Sequence, residues 1–133
     1  MSQKIFCSGR WGSIILAQRR DGSSPAEAFL TALKVSDQAK MLALLQRAAD
    51  YGWMNINNAE KFKKIADGWF EFKCHQIRMP CFCSGRDLIL THGFIKKKDD
   101  FSPSEINHAK LIKAEHEEKN TATKQYPTRG KQT

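Results

Sequence analysis

The chain of 133 residues contains no long apolar run, and no window approaches the ~18 uninterrupted apolar residues that a membrane-spanning helix needs. Its N-terminal stretch has a lysine but no apolar core followed by a small-residue cleavage site, so no secretory signal is expected. The four cysteines do not form the pattern of a secreted disulfide framework, and reduced thiols are therefore predicted. We expect a cytoplasmic protein without a membrane partner.

Familiar catalytic motifs are also missing. The sequence has no serine or cysteine triad motif, no glycine-rich phosphate loop and no HExxH pair, which argues against the common hydrolase and nucleotide-binding classes. Cys74-His75 and Cys81-x-Cys83 lack the usual C-x₂-C spacing of a zinc site. We interpret these cysteines as small buried residues and expect neither a metal nor another cofactor.

Acidic residues are scarce relative to basic ones. Fourteen Asp and Glu face 22 Lys and Arg, which gives a net charge of +8 and a pI of about 9.5. Such an excess points to a polyanionic partner, namely nucleic acid, a membrane surface or an acidic protein, while the alternative is a basic surface that only confers solubility. The length predicts one domain over residues 1–119, and the polar stretch 120–133 is predicted to be a disordered basic tail.

Turn and capping signals divide the domain into helices and strands. Ser24-Pro25-Ala26-Glu27 predicts a capped helix, and Gly52 predicts the end of the next one. The expected elements are a strand at 14–17, helices at 25–33 and 36–51, strands at 69–75, 77–83 and 87–94, and a last helix from 103 to about 119. Pro80 cannot donate to a ladder, so its strand is predicted to lie at an edge or to carry a bulge.

Basic residues are densest between positions 60 and 98, where nine Lys and Arg face four acids. Arg78 stands in an otherwise apolar strand and must meet either an anion or an acid, of which Glu71 is the obvious candidate. Trp69 is a candidate for stacking on an RNA base, although a buried aromatic is the alternative. Lys64, Lys73 and Arg86 are further candidates for contacts with an RNA backbone.

A second candidate stretch is His92-Gly93-Phe94-Ile95-Lys96-Lys97-Lys98. The glycine allows another backbone or a ligand to approach closely. The three lysines are candidates for stabilising the negative charge that develops at a scissile phosphate. His92 is a candidate general acid or base, or alternatively a core residue whose hydrogen bonds are satisfied.

From about Ile14 to Glu118 the chain resembles the RelE/HigB toxin superfamily, in particular its phage-derived Gp49-like branch. The resemblance is carried by an ordered set of segments: SPAEAFLTAL, an amphipathic helix ending YG, KKIADGWFEFK, an arginine in the next strand, LILTHGFIKKK and SPSEINHAK. It implies an α+β fold with an N-terminal strand, two helices on a mostly antiparallel sheet of about four strands, and a C-terminal helix.

The implied activity is that of a metal-independent mRNA endoribonuclease that inhibits translation, usually on the ribosome, by attack of a 2′-hydroxyl on the adjacent phosphate. Carried over by position, Arg78 matches the arginine on the scissile phosphate, Lys96 and Lys97 match the basic pair after Gly-Phe, and Lys73 matches the basic residue ending its strand. The implied partner is a small helix-turn-helix antitoxin. The tyrosine common after the strand arginine is missing, with only Phe82 or Trp69 as substitutes.

The leading prediction is therefore the toxin of a type II toxin–antitoxin pair. Its predicted catalytic set is Arg78, Lys96, Lys97, Glu71 and His92, and its predicted RNA-binding set is Lys73, Trp69, Lys98, Lys64 and Arg86. Glu71 and His92 are the two candidates for the general base. Two alternatives remain: a non-catalytic RNA-binding or ribosome-binding protein of this fold, and a phage-derived protein that docks an acidic partner.

Overall fold

The computed structural model describes residues 3–53, 56, 61–97 and 103–128, with side chains described as far as Asn120. The described elements are seven strands and three helices. The strands are β1 (Lys4–Ser8), β2 (Ser13–Leu16), β3 (Phe62–Ala66), β4 (Trp69–Cys74), β5 (Ile77–Ser84), β6 (Asp87–Leu90) and β7 (Phe94–Ile95). The helices are α1 (Pro25–Ala32), α2 (Val35–Tyr51) and α3 (Pro103–Thr128).

All seven strands belong to one sheet with the order β1-β2-β6-β5-β4-β3, and β7 pairs with β5. Every pairing is antiparallel except that of β2 with β6, so the predicted α+β class with a mostly antiparallel sheet is confirmed. The predicted number of about four strands is too low. β1 and β3 are the edge strands of this sheet. β3 contains two lysines, and charged side chains are common on edge strands. These lysines obscured the apolar pattern of a strand in the sequence.

Pro80 lies inside the sheet, so its strand is not an edge, but the predicted alternative of a bulge is confirmed. Cys81 pairs with Leu90 and Arg78 pairs with Phe94, so three residues, 91–93, lie opposite Met79 and Pro80. β5 pairs with β4 on one side and with β6 and then β7 on the other. The single strand predicted over 87–94 is divided at the level of Pro80, which has no N–H to donate. Thr91 still donates its N–H to the Pro80 carbonyl over 3.0 Å. The missing donor therefore coincides with the break between β6 and β7.

One face of the sheet packs against α1 and α2. The Ser24 hydroxyl accepts a hydrogen bond from the Glu27 N–H, as the capping pattern predicted, and Gly52 ends α2 with a φ of 91°. α2 is amphipathic as expected, and its apolar stripe is buried at Met41, Leu44, Leu45, Ala48 and Ala49. Leu42 lies outside this stripe and is 37% exposed.

The opposite face packs against α3, which buries Ala109 and Ile112. These two residues contact a second, smaller core whose other buried members are Ile15, Ala17, Trp69, Phe82 and Ile89. The helix continues to Thr128 and does not end near Lys119, because helix propagation requires no apolar periodicity. The division of the chain into a domain and a disordered tail stays a prediction.

Among the described residues, no helix combines the length and the apolar character needed to cross a bilayer.

A partly buried ion pair holds α3 to the turn that follows β2. The Arg19 Nε and Nη2 donate to the two Glu115 oxygens over 3.1 and 3.0 Å, and the Arg20 N–H donates to Oε1 over 2.9 Å. The hydrogen bond from Arg19, followed by that from the Arg20 backbone, lowers the pKa of Glu115 to about 2. This carboxylate therefore contributes to folding stability while it is ionised.

We predict that Glu115→Gln lowers the melting temperature at pH 7. Because the folded pKa of about 2 lies below the ordinary value of 4.5, the contribution is complete above pH 4.5 and is lost as the pH falls toward 2. Thermal unfolding followed by circular dichroism across this window measures the difference between wild type and variant. Glu118→Gln, which removes the exposed partner of Arg20, is the matched control with a smaller effect. A difference that persists unchanged at pH 2 would contradict the assignment.

Candidate anion-binding site

Four basic side chains and one acidic side chain meet on the face of the sheet that α3 covers only in part. Strand register places Lys63 opposite Glu71, and Lys73 opposite Arg78. Glu71 and Lys73 are two residues apart on β4 and so point to the same face. Lys96, which follows β7, lies close enough to act electrostatically on both of them. We call these five residues the basic site.

Arg78 is the most constrained member of the basic site. It is 8% exposed, and its Nη1 donates to the carbonyls of His75 and Ile77 over 2.7 and 3.0 Å. Its Nε lies 3.6 Å from Glu71 Oε2, close enough for an ion pair but too far for a good hydrogen bond. Among the described residues, no group accepts a hydrogen bond from this buried Nε. The guanidinium therefore retains a donor for an additional acceptor.

Among the described residues, Glu71 is the single carboxylate within the basic site. Only 6% of the residue is exposed, and this burial raises its pKa above the ordinary value although Arg78, Lys63, Lys96 and Lys73 all act to lower it. The cost of removing the charge from water thus exceeds the attraction of the four cations. A carboxyl with a raised pKa can both hold and accept a proton closer to neutral pH than an exposed one.

Lys73 is shifted in the opposite direction. Burial lowers its pKa first, and the positive charges of Lys63, Arg78 and Lys96 lower it further against the attraction of Glu71. A lysine with a lowered pKa releases its proton more readily than an ordinary one. Within the described part of the chain, the basic site contains four cations and one carboxylate, an excess of positive charge that favours an anionic ligand.

The structure thus brings together Arg78, Glu71, Lys73 and Lys96 from the predicted set and adds Lys63. The sequence analysis selected Lys64 and not Lys63, because it did not predict the strand β3. The period of two in the sequence FKKIA could have distinguished Lys63 from Lys64 once the segment was recognised as a strand.

Several predicted site residues lie elsewhere. Lys64 is exposed on the opposite side of β3, and its Nζ lies 4.0 Å from Asp67 Oδ1. Arg86 lies beyond the far end of β5, about 20 Å along the strand from Arg78, with its guanidinium 5.4 Å from the Trp11 ring. Lys97 is exposed beyond β7, and Lys98 lies outside the described residues.

Trp69 and Phe82, the two proposed aromatic substitutes, belong to the second core. Trp69 is 5% exposed, with its ring centroid 5.5 Å from that of Phe82. Its predicted role in stacking on a base is corrected, because a ring buried between the sheet and α3 presents no face to a ligand. Gly93 was predicted to let another backbone or a ligand approach closely. In the structure the Phe29 ring lies against Gly93, and the close approach is therefore a packing contact.

His92 belongs to a separate cluster at the N-terminal end of α3. It is 4% exposed, its Nε2 lies 2.9 Å from Glu105 Oε1, and its Nδ1 lies 3.1 Å from the Thr91 hydroxyl. Burial lowers the pKa of His92, partly opposed by its hydrogen bond with Glu105. Its hydrogen bonds connect it with α3, so of the two candidate bases only Glu71 lies within the basic site.

The chain belongs to the Gp49-like family of phage-derived proteins. The model of that family, described as "Phage derived protein Gp49-like (DUF891)", matches residues 28–126, which include every described member of the basic site. No curated protein matches the chain.

We predict that Glu71→Gln changes how stability depends on pH in the direction opposite to Glu115→Gln. Because burial raises the folded pKa of Glu71, the folded state binds its proton more tightly than the unfolded state. The stability of wild type relative to Glu71→Gln should therefore fall as the pH rises from about 4.5 through the folded pKa. Urea unfolding of both proteins at several pH values measures this slope. A relative stability that rises over the same window would show that the pKa of Glu71 is lowered.

Proposed function

We propose that the protein is the toxin of a type II toxin–antitoxin pair and that it cleaves mRNA at the basic site. The observation that carries the proposal is the buried Arg78 guanidinium, whose Nε has no acceptor among the described residues and which lies beside Lys63, Lys73 and Lys96. A phosphodiester supplies both a hydrogen-bond acceptor and the negative charge that this arrangement would neutralise. The resemblance to the RelE/HigB superfamily supports the same reading.

Three side chains of the basic site have separate roles in the proposed cleavage. Glu71 takes the proton of the ribose 2′-hydroxyl, and the 2′-oxygen attacks the adjacent phosphorus. Arg78 stabilises the charge that develops on the phosphoryl oxygens. Lys73, whose lowered pKa makes it the better acid, donates a proton to the leaving 5′-oxygen as the P–O bond breaks. The products are a 2′,3′-cyclic phosphate and a 5′-hydroxyl, and no metal ion takes part.

The proposed partners follow from the same reading. The proposed substrate is mRNA on the translating ribosome. The mRNA backbone would extend the electrostatic contacts beyond the five residues of the basic site. The cognate antitoxin is a small helix-turn-helix protein in the cytoplasm. Lys97 and Lys98 are proposed as further contacts with the RNA backbone because they follow Lys96 directly in the chain.

A second candidate function is RNA or ribosome binding without cleavage. The burial of Trp69 and Phe82 favours it, because neither aromatic ring is available to stack a base and orient the attacking hydroxyl. This alternative retains the electrostatic contacts of the basic site and differs from the leading proposal only in the chemical step.

We predict that Arg78→Ala abolishes growth arrest when the protein is induced in a bacterial host. Loss of one preorganised donor to a transition-state oxyanion costs a factor of about 10²–10³ in rate. Mapping mRNA 5′ ends within minutes of induction should reveal new 5′-hydroxyl termini in wild type and none in the variant. Lys96→Ala, which alters a half-buried side chain, should weaken cleavage with less risk to folding.

Arg86→Ala is the matched control, because it removes the same charge from the same hairpin at the end remote from the basic site. It should retain arrest and cuts. Circular dichroism establishes that each variant is folded. A folded Arg78→Ala protein that still cuts mRNA would overturn the site assignment. Arrest by wild type without cuts would favour binding alone, and no arrest by folded wild type would contradict the toxin reading.

We further predict that the logarithm of the binding constant for single-stranded RNA falls linearly with the logarithm of the salt concentration. The slope should become shallower by about 0.7 for each phosphate contact removed. Lys63→Ala tests the one member of the basic site that the sequence did not reveal, and Lys64→Ala, its exposed neighbour on the other face, is the control. Fluorescence anisotropy of a labelled RNA oligonucleotide at several salt concentrations gives both slopes. Equal slopes for the two variants would exclude Lys63 from the phosphate contacts.

A further inference from the structure

Two histidines and a glutamate meet where α3 begins against the sheet. His92 leaves the end of β6, while Glu105 and His108 lie three residues apart in the first turns of α3 and therefore share one face of the helix. One ligand atom from each residue, an imidazole nitrogen or a carboxylate oxygen, lies within 4.8 Å of the other two. The His92 and His108 ring centroids are 4.5 Å apart.

The surroundings of His92 hold its ring in one orientation. Its Nε2 points at Glu105 Oε1, its Nδ1 points at the Thr91 hydroxyl, and its ring stacks on Phe94 at a centroid distance of 5.7 Å. The Thr91 hydroxyl is also 3.3 Å from the Pro80 carbonyl, to which it can only donate. When the Thr91 hydroxyl donates to this carbonyl, it accepts a hydrogen bond from His92 Nδ1–H. The lone pair of His92 Nε2 then faces the Glu105 carboxylate.

Two acceptors that face each other at 2.9 Å need a cation between them, either a proton or a metal ion. Metal-binding histidines in proteins almost always donate the other ring N–H to an oxygen, which fixes the tautomer and the direction of the ring. The chain from His92 Nδ1 through Thr91 to the Pro80 carbonyl provides such a support. Here the support is already present around a buried ring.

We propose that His92 Nε2, Glu105 and His108 bind one divalent transition-metal ion of the zinc class. Two imidazole nitrogens and a carboxylate are a ligand set that zinc accepts, with water completing a tetrahedron. Bonds of about 2.0–2.1 Å require the three ligand atoms to lie closer together than 4.8 Å. His108 is exposed on α3 and Glu105 is half-buried, so their side chains have room to close around an ion that enters from solvent.

The bound ion would fasten the first turns of α3 to the sheet. Phe94 connects this metal site with the basic site, because its ring stacks on His92 and its backbone pairs with Arg78. The ion would therefore stabilise the strand beside Arg78 without touching the scissile phosphate. This role does not depend on the proposed ribonuclease activity, and its test needs no RNA.

The test titrates the purified full chain with Zn²⁺ by calorimetry and with Co²⁺ by visible absorption. We expect one ion per chain, an intense tetrahedral Co²⁺ spectrum without a thiolate charge-transfer band, and a melting temperature that rises with Zn²⁺ concentration. His108→Ala changes an exposed helical side chain and should weaken Zn²⁺ affinity by a factor of at least about ten. Thr91→Val, which removes only the supporting hydroxyl, should weaken it by about 10–100-fold.

His75→Asn is the matched control, because it removes an exposed histidine near Asp37, and asparagine tolerates the positive φ of 56° at that position. It should leave the affinity and the rise in melting temperature unchanged. Absence of one-to-one binding by wild type would overturn the proposal and leave a shared proton between His92 and Glu105. A thiolate band would assign the ion to the cysteines, and unchanged binding by His108→Ala would also overturn the proposal.

Discussion

The antiparallel register between β4 and β5 is the constraint on which the rest of the structure depends. It places Lys73 opposite Arg78 and Phe72 opposite Met79, so the charged residues of both strands share one face, while Phe72 and Met79 share the other. A slip of one residue would transfer Glu71 and Lys73 to the face packed by α2 and expose Phe72. The burial of Phe72 and Met79, both 0% exposed, therefore also fixes the position of the basic site.

The two faces of the sheet have different tasks. The face under α1 and α2 is a continuous apolar core, and burial of that core supplies the hydrophobic stabilisation. The face under α3 is only partly covered, and its second core ends where the charged residues begin. In this area Lys63 is exposed and Lys73 and Lys96 are half-buried, so the sheet presents cations there. The Arg19–Glu115 ion pair and the His92–Glu105 contact hold α3 at two separate points, one on each side of Ala109 and Ile112.

Burial gives the basic site its chemical character. The same three cations, Lys63, Arg78 and Lys96, surround Glu71 and Lys73, yet the carboxyl binds its proton more tightly than usual and the ammonium binds its proton less tightly. Desolvation is the largest cause of both shifts, because it penalises the charged form of either group. An acid and a base whose pKa values have moved toward each other lie beside a buried arginine whose Nε has no acceptor in the described part of the chain. This arrangement is suitable for proton transfer around a phosphate.

The sequence by itself determined the capped helix at Ser24, the end of α2 at Gly52, the buried stripe of α2 and the alternation of β4, because each depends on local chemistry or on a short period. It also singled out Arg78 and Glu71, since a charge among apolar residues must find a partner. Only the tertiary structure decided that Lys63 joins them, that Trp69 is buried and that Arg86 lies apart. Those outcomes depend on which strands become neighbours and on which face α3 covers, and contacts between residues so distant in the chain have no local signature.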